Sequence, residues 1–330
     1  MRIQAIRPTL LLAAVLCTAI WGATPATSQS WPTRPVTLIV PYAAGGSVDV
    51  VARVVANKLS DRLGQTVVVE NAPGAGGVTG TQRAARAEPD GYTLLFSVES
   101  SMAIAKFVQP SIVKYDSLKD FVPISLIGDA PLVLAGKKEL PASNTKELLA
   151  LLRDNPGKYN FASSGVGTSL HVAGEMINIE GNVKMVHVPY RVGAQMVTDL
   201  MGSQIDLAVL PLVMALPNFR AGNIKVFGIT EPERSPLAPE LPALGEQPEL
   251  KKVSVTVWYG LFAPAKTDPA IVNRLYNEIA AATKEAEMKA KLAETNLRVV
   301  GSTPAEFTAF LAKEIEKYDA IVKAANIKAE

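Results

Sequence analysis

The chain carries one cysteine, Cys17, and two histidines, His171 and His187, in 330 residues. That inventory cannot build a thiolate zinc site, a disulfide framework or a haem attachment motif. Charge is also sparse, at 19% Asp, Glu, Lys and Arg, against 48% hydrophobic residues. This balance excludes a disordered or low-complexity chain, and no repeat of roughly 20 to 50 residues is present. Length alone suggests two domains. Gly-x-x-x-x-Gly-Lys-Ser/Thr does not occur, so a P-loop is absent, and without Gly-x-Ser-x-Gly there is no nucleophile elbow. Gly74-Ala75-Gly76 follows a strand-like run, but Val78-Thr79 stands where a dinucleotide fingerprint needs its third glycine. No cofactor or metal is expected.

What is present begins with a leader. Arg2 and Arg7 precede the apolar run Leu10 to Ile20, and Ala23-Thr24-Pro25-Ala26-Thr27-Ser28 follows. This is the order of a secretory signal, with residues 1–28 as the signal peptide and cleavage near residues 26–30. The run falls short of the roughly 20 apolar residues a spanning helix needs. Leu16, before Cys17, is not the small residue that lipid attachment requires. Loss of Arg2 and Arg7 brings 33 basic residues down to 31, equal to the 31 acidic ones, so nothing favours nucleic acid as a partner. The expectation is an exported, periplasmic, monomeric protein.

The remainder alternates strand and helix patterns. Val36 to Val40 is an apolar, β-branched run stopped by Pro41, and Gly45-Gly46-Ser47 opens a helix with Val50, Val51, Val54, Val55 and Leu59 on one side. Thr66 to Glu70 and Tyr92 to Phe96 read as strands flanking a short helix, Thr81 to Ala87. Leu132 to Leu134, Tyr159 to Phe161, Val186 to Val188, Leu207 to Leu210 and Lys225 to Thr230 continue the strands, with a helix over Thr145 to Arg153. Asp268-Pro269 and the capping box Thr303-Pro304-Ala305-Glu306 start two long final helices. The class is α/β, with a parallel sheet covered on both faces.

Ligands of open α/β sheets sit beyond the carboxyl ends of the strands, where helix N-termini present free N–H groups. Three glycine-rich turns occupy such positions: Tyr42-Ala43-Ala44-Gly45-Gly46-Ser47, Pro73-Gly74-Ala75-Gly76-Gly77 and Ser163-Ser164-Gly165-Val166-Gly167-Thr168. The first and third also carry hydroxyls. Tight turning alone would account for any one of them. Ser143-Asn144-Thr145-Lys146 matches Ser-x-x-Lys, but it precedes an apolar-periodic helix, where Ser143 or Asn144 serves as an N-cap. His171, three residues beyond Thr168, is either a packed histidine or a ligand contact, and His187 lies within a strand. Neither belongs to an identifiable triad motif. Glu99, in Ser97-Val98-Glu99-Ser100-Ser101, reads as a solvated loop glutamate.

Several segments together resemble one family. Trp31-Pro32, Val40-Pro41-Tyr42, Gly45-Gly46-Ser47-Val48-Asp49, Ala52-Arg53, Val69 to Gly77, Pro89 to Leu94, Asp120 to Ile124, Ser163-Ser164-Gly165, His187 to Tyr190 and Gly301 to Pro304 are similar, in order, to Bug-type solute receptors of tripartite tricarboxylate transporters. The resemblance covers essentially all of the chain after the leader. It implies a periplasmic binding protein of type II architecture, with two α/β lobes closing on a cleft. Lobe 1 would comprise residues 29–129 and 253–330, and lobe 2 residues 130–252, with hinges near Ile127 to Asp129 and Val253 to Thr256. It also implies that the first and third loops, Tyr42 to Ser47 and Ser163 to Thr168, grip a carboxylate; Gly76, Ser97, His171, Pro211 and Leu212 are further candidates for the site, the last two where this chain departs from the family's frequent Asp-Asn pair. Val209 to Met214 would supply an apolar wall. The implied partners are a small carboxylate, aromatic, aliphatic or dicarboxylic, and the permease subunits of such a transporter, or else a membrane sensor. An exported hydrolase or lyase using the helix N-termini as an oxyanion hole is the alternative.

Overall fold

The computed structural model describes residues 31–190 and 193–328. The signal-peptide expectation over residues 1–28 lies outside them. β1 (Val36–Val40), α1 (Ser47–Leu63), β2 (Val67–Asn71), α2 (Val78–Ala85) and β3 (Thr93–Val98) form the first right-handed α/β block. A helical stretch over 100–108 leads into β4 (Phe121–Lys137), followed by α3 (Thr145–Asp154), β5 (Asn160–Ser163), α4 (Ser169–Glu180) and β6 (Val186–Pro189). Then come α5 (Gly193–Met201), β7 (Leu207–Pro211), α6 (Leu212–Arg220), β8 (Ile224–Ile229) and β9 (Thr256–Pro264). The chain ends in α7 (Pro269–Ala282), α8 (Ala286–Glu294), β10 (Arg298–Val299) and α9 (Pro304–Ala324).

The strands order as β2-β1-β3-β9-β4-β7-β5-β6, with β8 and β10 also pairing with β4. Two α/β lobes result, and they share one strand. The 17 residues of β4 pair antiparallel with β9 over Phe121 to Pro131, then with β7 and β8 over Leu132 to Lys137. The all-parallel expectation is therefore corrected. β1 is parallel to β2 and β3, and β5 to β6 and β7, but every pairing of β4 and β9 is antiparallel. A chain that enters the second lobe on β4 and returns on β9 must run those strands in opposite directions. Their register slips between Pro123 and Ser125 and again between Leu126 and Gly128, shortly before β4 changes partners. Only a glycine fits at 128, since a Cβ there would meet the Arg298 carbonyl of β10.

Other expectations shift in detail. Three helices close the chain, because Thr283 ends α7 and α8 follows as a separate helix. Asp268 and Thr303 cap as expected, each accepting a backbone N–H in the first turn. Val50 is exposed, and the buried stripe of α1 runs through Val48, Val51, Ala52, Val55, Ala56 and Leu59. The short helix starts at Val78, earlier than Thr81. Asn144 caps α3 by accepting from Glu147 N–H, which settles the choice between Ser143 and Asn144.

The aromatic core sits behind the shared strands. Trp258 on β9 is fully buried, edge-on to Phe307 and Phe310 of α9, and its Nε1 donates to Glu314 at 3.0 Å. Large aromatic burial of this kind dominates core energetics. It anchors β9, whose Val257 reaches the cavity wall.

Candidate ligand-binding site

A cavity of about 1140 Å³ opens between the lobes, ample for a small organic ligand with its waters. One wall is the turn from β1 into α1. Pro41 ends the strand, and Gly45 takes φ +80°, a left-handed conformation that a side chain would strain. Gly46 is the N-cap of α1 and supplies no side chain to it, so the first-turn N–H groups have no cap. Gly45, Gly46, Ser47 and Val48 all face the cavity.

This open turn is braced from behind. Asp49 Oδ2 accepts from Gly45 N–H at 2.9 Å and from Arg53 Nε at 3.0 Å. Asn71 Nδ2 donates to Asp49 Oδ1 at 2.9 Å and to the Tyr42 carbonyl at 3.0 Å. Burial alone would raise the Asp49 pKa, but the donors from Arg53, Gly45 and Asn71 outweigh it and hold the carboxyl below its ordinary range. Tyr42 reaches across to the second glycine turn, its hydroxyl donating to the Gly76 carbonyl at 3.3 Å. Gly77, at φ +98°, leaves room for that ring, which a Cβ would strike.

The opposite wall is the turn from β5 into α4, where all the side-chain hydroxyls but that of Ser164 are bonded within the loop. Thr168 is the N-cap, its Oγ1 accepting from His171 N–H and donating to the Gly165 carbonyl at 2.8 Å. Ser163 Oγ accepts from Gly165 N–H at 3.2 Å and meets His187 Nε2 at 2.6 Å. Gly167 N–H donates to His171 Nδ1 at 3.1 Å. The two imidazoles stack at 3.7 Å. Burial first, then the neighbouring His171, lowers the His187 pKa to about 4, so this ring is neutral at pH 7.

Of the residues expected from sequence, Tyr42, Ala43, Ala44, Gly45, Gly46, Ser47, Gly76, Ser164, Gly165, Thr168 and Pro211 line the cavity. The others stand behind it. Ser97 is fully buried against Ser101, Ser163 is buried under its own turn, and Gly167 packs on Val108. Val166 packs against the core, His171 is buried behind the loop, and Leu212 is fully buried. Of the Val209 to Met214 wall, Pro211 and Met214 reach the cavity, while Val209 and Leu210 are core.

Sequence reasoning missed the wall from Tyr190 through Gly193, Ala194 and Met196, and the patch of Glu99, Ser100 and Ser169. Tyr190 closes the His187 to Tyr190 motif and could have been found from it. Glu99 could not, because its loop reads as polar, yet the side chain is 1% exposed and lines the cavity. Among the described residues lining the cavity, Glu99 is the one carboxyl, and Lys, Arg and His are absent. The Ser163 and His187 contact has the reach of a nucleophile and base, but Ser163 is buried away from the cavity and hydrogen-bonded to its own loop. No group of three metal-ligating side chains occurs among the described residues.

The arrangement is a two-walled receptor cleft, and comparison with known proteins agrees. The family model for the tripartite tricarboxylate transporter family receptor matches residues 51–327. The chain belongs to that family. BugT of Bordetella pertussis is 34% identical over 307 residues, spanning 93% of this chain and 94% of BugT. Among solved structures, an R. palustris protein with adipate is 29% identical with a TM-score of 0.85, covering 91% of this chain and all of that one. MatC from Rhodopseudomonas palustris with bound malate is likewise 29% identical, with a TM-score of 0.81, covering 88% and 100% of the two chains. This receptor thus shares its two-lobed architecture with carboxylate-bound relatives along nearly its whole described length.

Proposed function

We propose that this receptor captures a small organic carboxylate in the periplasm and presents it to the permease subunits of a tripartite tricarboxylate-type transporter. The observation that carries the reading is the uncapped N-terminus of α1, open on a cavity whose described lining has no basic side chain. A carboxylate there takes backbone N–H groups and the positive end of the helix dipole, each charge-assisted bond contributing about 1.5 to 3 kcal/mol. Ser47 and the lobe 2 turn would supply further contacts. The adipate and malate bound to the relatives support the ligand class.

In this reading residues 29–129 with 253–330 move as one body and 130–252 as the other, about the bend in β4 and the entry to β9. The protein acts by binding without turnover, which distinguishes it from an exported hydrolase. Thermal-shift screening of mono- and dicarboxylates against the processed chain tests the reading, because a ligand selective for the native state raises its melting temperature. Absence of any shift across the panel, or product formation from esters and lactones, would overturn it. Compaction in small-angle scattering at saturating ligand tests closure.

A further inference from the structure

Glu99 stands at the end of β3, where the chain turns into the helical stretch over 100–108. Its Oε2 accepts from Trp258 N–H of β9 at 3.0 Å, and its Oε1 accepts from Ser100 Oγ at 3.1 Å. Ser100 Oγ also accepts from the N–H of Ser169, the first residue of α4, at 3.2 Å. A buried carboxyl of lobe 1 is thereby linked through one hydroxyl to the helix N-terminus of lobe 2. The Ser169 hydroxyl, itself buried and on the cavity wall, lies beside the Glu99 carboxyl and favours its charged form, but no hydrogen bond of good geometry joins them. Buried polar atoms without partners are uncommon and mark a place for water or ligand. Trp258 N–H and Ser100 Oγ are the donors of good geometry to the two Glu99 oxygens, and a carboxylate has about four acceptor sites, so capacity for a ligand donor remains.

Among the described residues, the groups around Glu99 offer it no positive charge. Tyr42 from the first glycine turn, Tyr259 from β9 and Tyr318 from α9 are all pushed upward, first by burial and further by the nearby Glu99 carboxyl. The Tyr318 hydroxyl is another buried atom without a partner. Beyond it Glu314 is engaged by Lys317 at 2.5 Å and by Trp258 Nε1. No ion pair to Glu99 is formed among the described residues. Burial accordingly lifts the Glu99 pKa to about 7, against hydrogen bonds that favour the charged form.

We propose that Glu99, Ser100 and Ser169 form a second polar subsite of the cavity. It takes a hydrogen-bond-donating group, hydroxyl or ammonium, on the same ligand whose carboxylate the α1 turn holds, and it turns away a second carboxylate. This rests on the carboxylate reading of the site. A distal hydroxyl or ammonium donates to a Glu99 oxygen and can accept from or pack on Ser169. A distal carboxylate meets a like charge at low dielectric and enters only when Glu99 holds a proton to share. Diacid binding should therefore weaken as pH rises through the region near 7, while the alkyl and hydroxyl ligands change little.

The test is calorimetry of the processed chain with straight-chain carboxylates of roughly four to six carbons ending in methyl, hydroxyl, ammonium or a second carboxylate, at about pH 5.5 and about pH 8. At the higher pH the hydroxyl- or ammonium-ended ligand should bind at least about tenfold tighter than the diacid of equal length. Glu99→Gln should reduce that preference to about threefold or less, and the lower pH should restore diacid binding in the unaltered protein. Ser169→Ala, which removes the hydroxyl beside Glu99, should weaken the hydroxyl-ended ligand by about threefold and leave the methyl-ended one unchanged. A diacid that binds tightest at the higher pH, or a preference untouched by Glu99→Gln and Ser169→Ala alike, overturns the subsite. If no member of the series binds at either pH, the carboxylate reading itself fails and takes the subsite with it.

Discussion

The two turns that face each other across the cleft have similar sequences and opposite internal economies. Tyr42 to Ser47 leaves the α1 N-terminus without a side-chain cap and is held only from behind, by Asp49, Asn71 and Arg53. Ser163 to Thr168 spends two of its three hydroxyls on itself: Thr168 caps α4, Ser163 holds Gly165, and two stacked histidines prop the loop, while Ser164 faces the cavity. Glycine and serine in a strand-to-helix turn therefore do not by themselves indicate free donors. What matters is whether a side chain has already consumed the N–H groups. The first turn is the open receiver, and the second offers the cavity little beyond Ser164.

The sharpest way to break that contrast is Gly46→Val. Gly46 has φ −77° and its nearest non-neighbouring atom lies 3.5 Å from a built Cβ, so the backbone tolerates a side chain and the obstruction falls on the cavity. Carboxylate binding should drop by at least about 100-fold, near 3 kcal/mol, with little change in melting temperature. Equal loss of stability and affinity would mean that this turn too is structural.

The second turn should respond to pH where the first does not. The folded-state pKa of His187, about 4, lies below the ordinary value, so the unfolded chain binds the proton first on acidification. The stability due to neutral His187 is present above about pH 6.5 and is lost as pH falls toward 4. Urea titrations of the unaltered protein and His187→Gln across that window should converge toward the acid end. Parallel curves would remove the histidine prop from the account.

Thr168→Val should cost about 1 kcal/mol of stability through the lost cap, and weaken binding less than Gly46→Val does. Calorimetry and melting on the same sample separate the two effects. The smallest expected effect is that of Asn144→Ala in α3, remote from the cleft: about 1 kcal/mol of stability by denaturant titration, with affinity unchanged.

Much of this molecule was legible in the sequence where local chemistry decides structure. β1 ends at Pro41, the Asp268 and Thr303 caps form as written, and the glycine turns fall at strand ends because positive φ at Gly45, Gly76 and Gly165 leaves few alternatives. Long-range pairing was not legible. The 17-residue β4 contains Pro123, Gly128 and Pro131, so as a local pattern it breaks into fragments, and only β9, β7 and β8 hold it extended. Likewise Glu99 looks solvated until Trp258, some 160 positions away in the chain, arrives to donate to it. Ser97, Ser163 and His171 were placed at the site because their neighbours are there. Position along a motif does not tell which face of the turn a side chain takes.

The strand order also sets a timetable. β9 lies between β3 and β4, so the first lobe's sheet has a one-strand gap until residues 256–264 have been supplied. All strands of the second lobe, β5 to β8, precede that segment in the chain. As the chain emerges from its N-terminus, the second lobe can complete its sheet while the first still waits with two open edges flanking the gap, a state prone to mispairing. The strand that supplies Val257 to the cleft is thus also the piece that joins β3 to β4, and a receptor with its cleft intact is one in which that long-range closure has already succeeded.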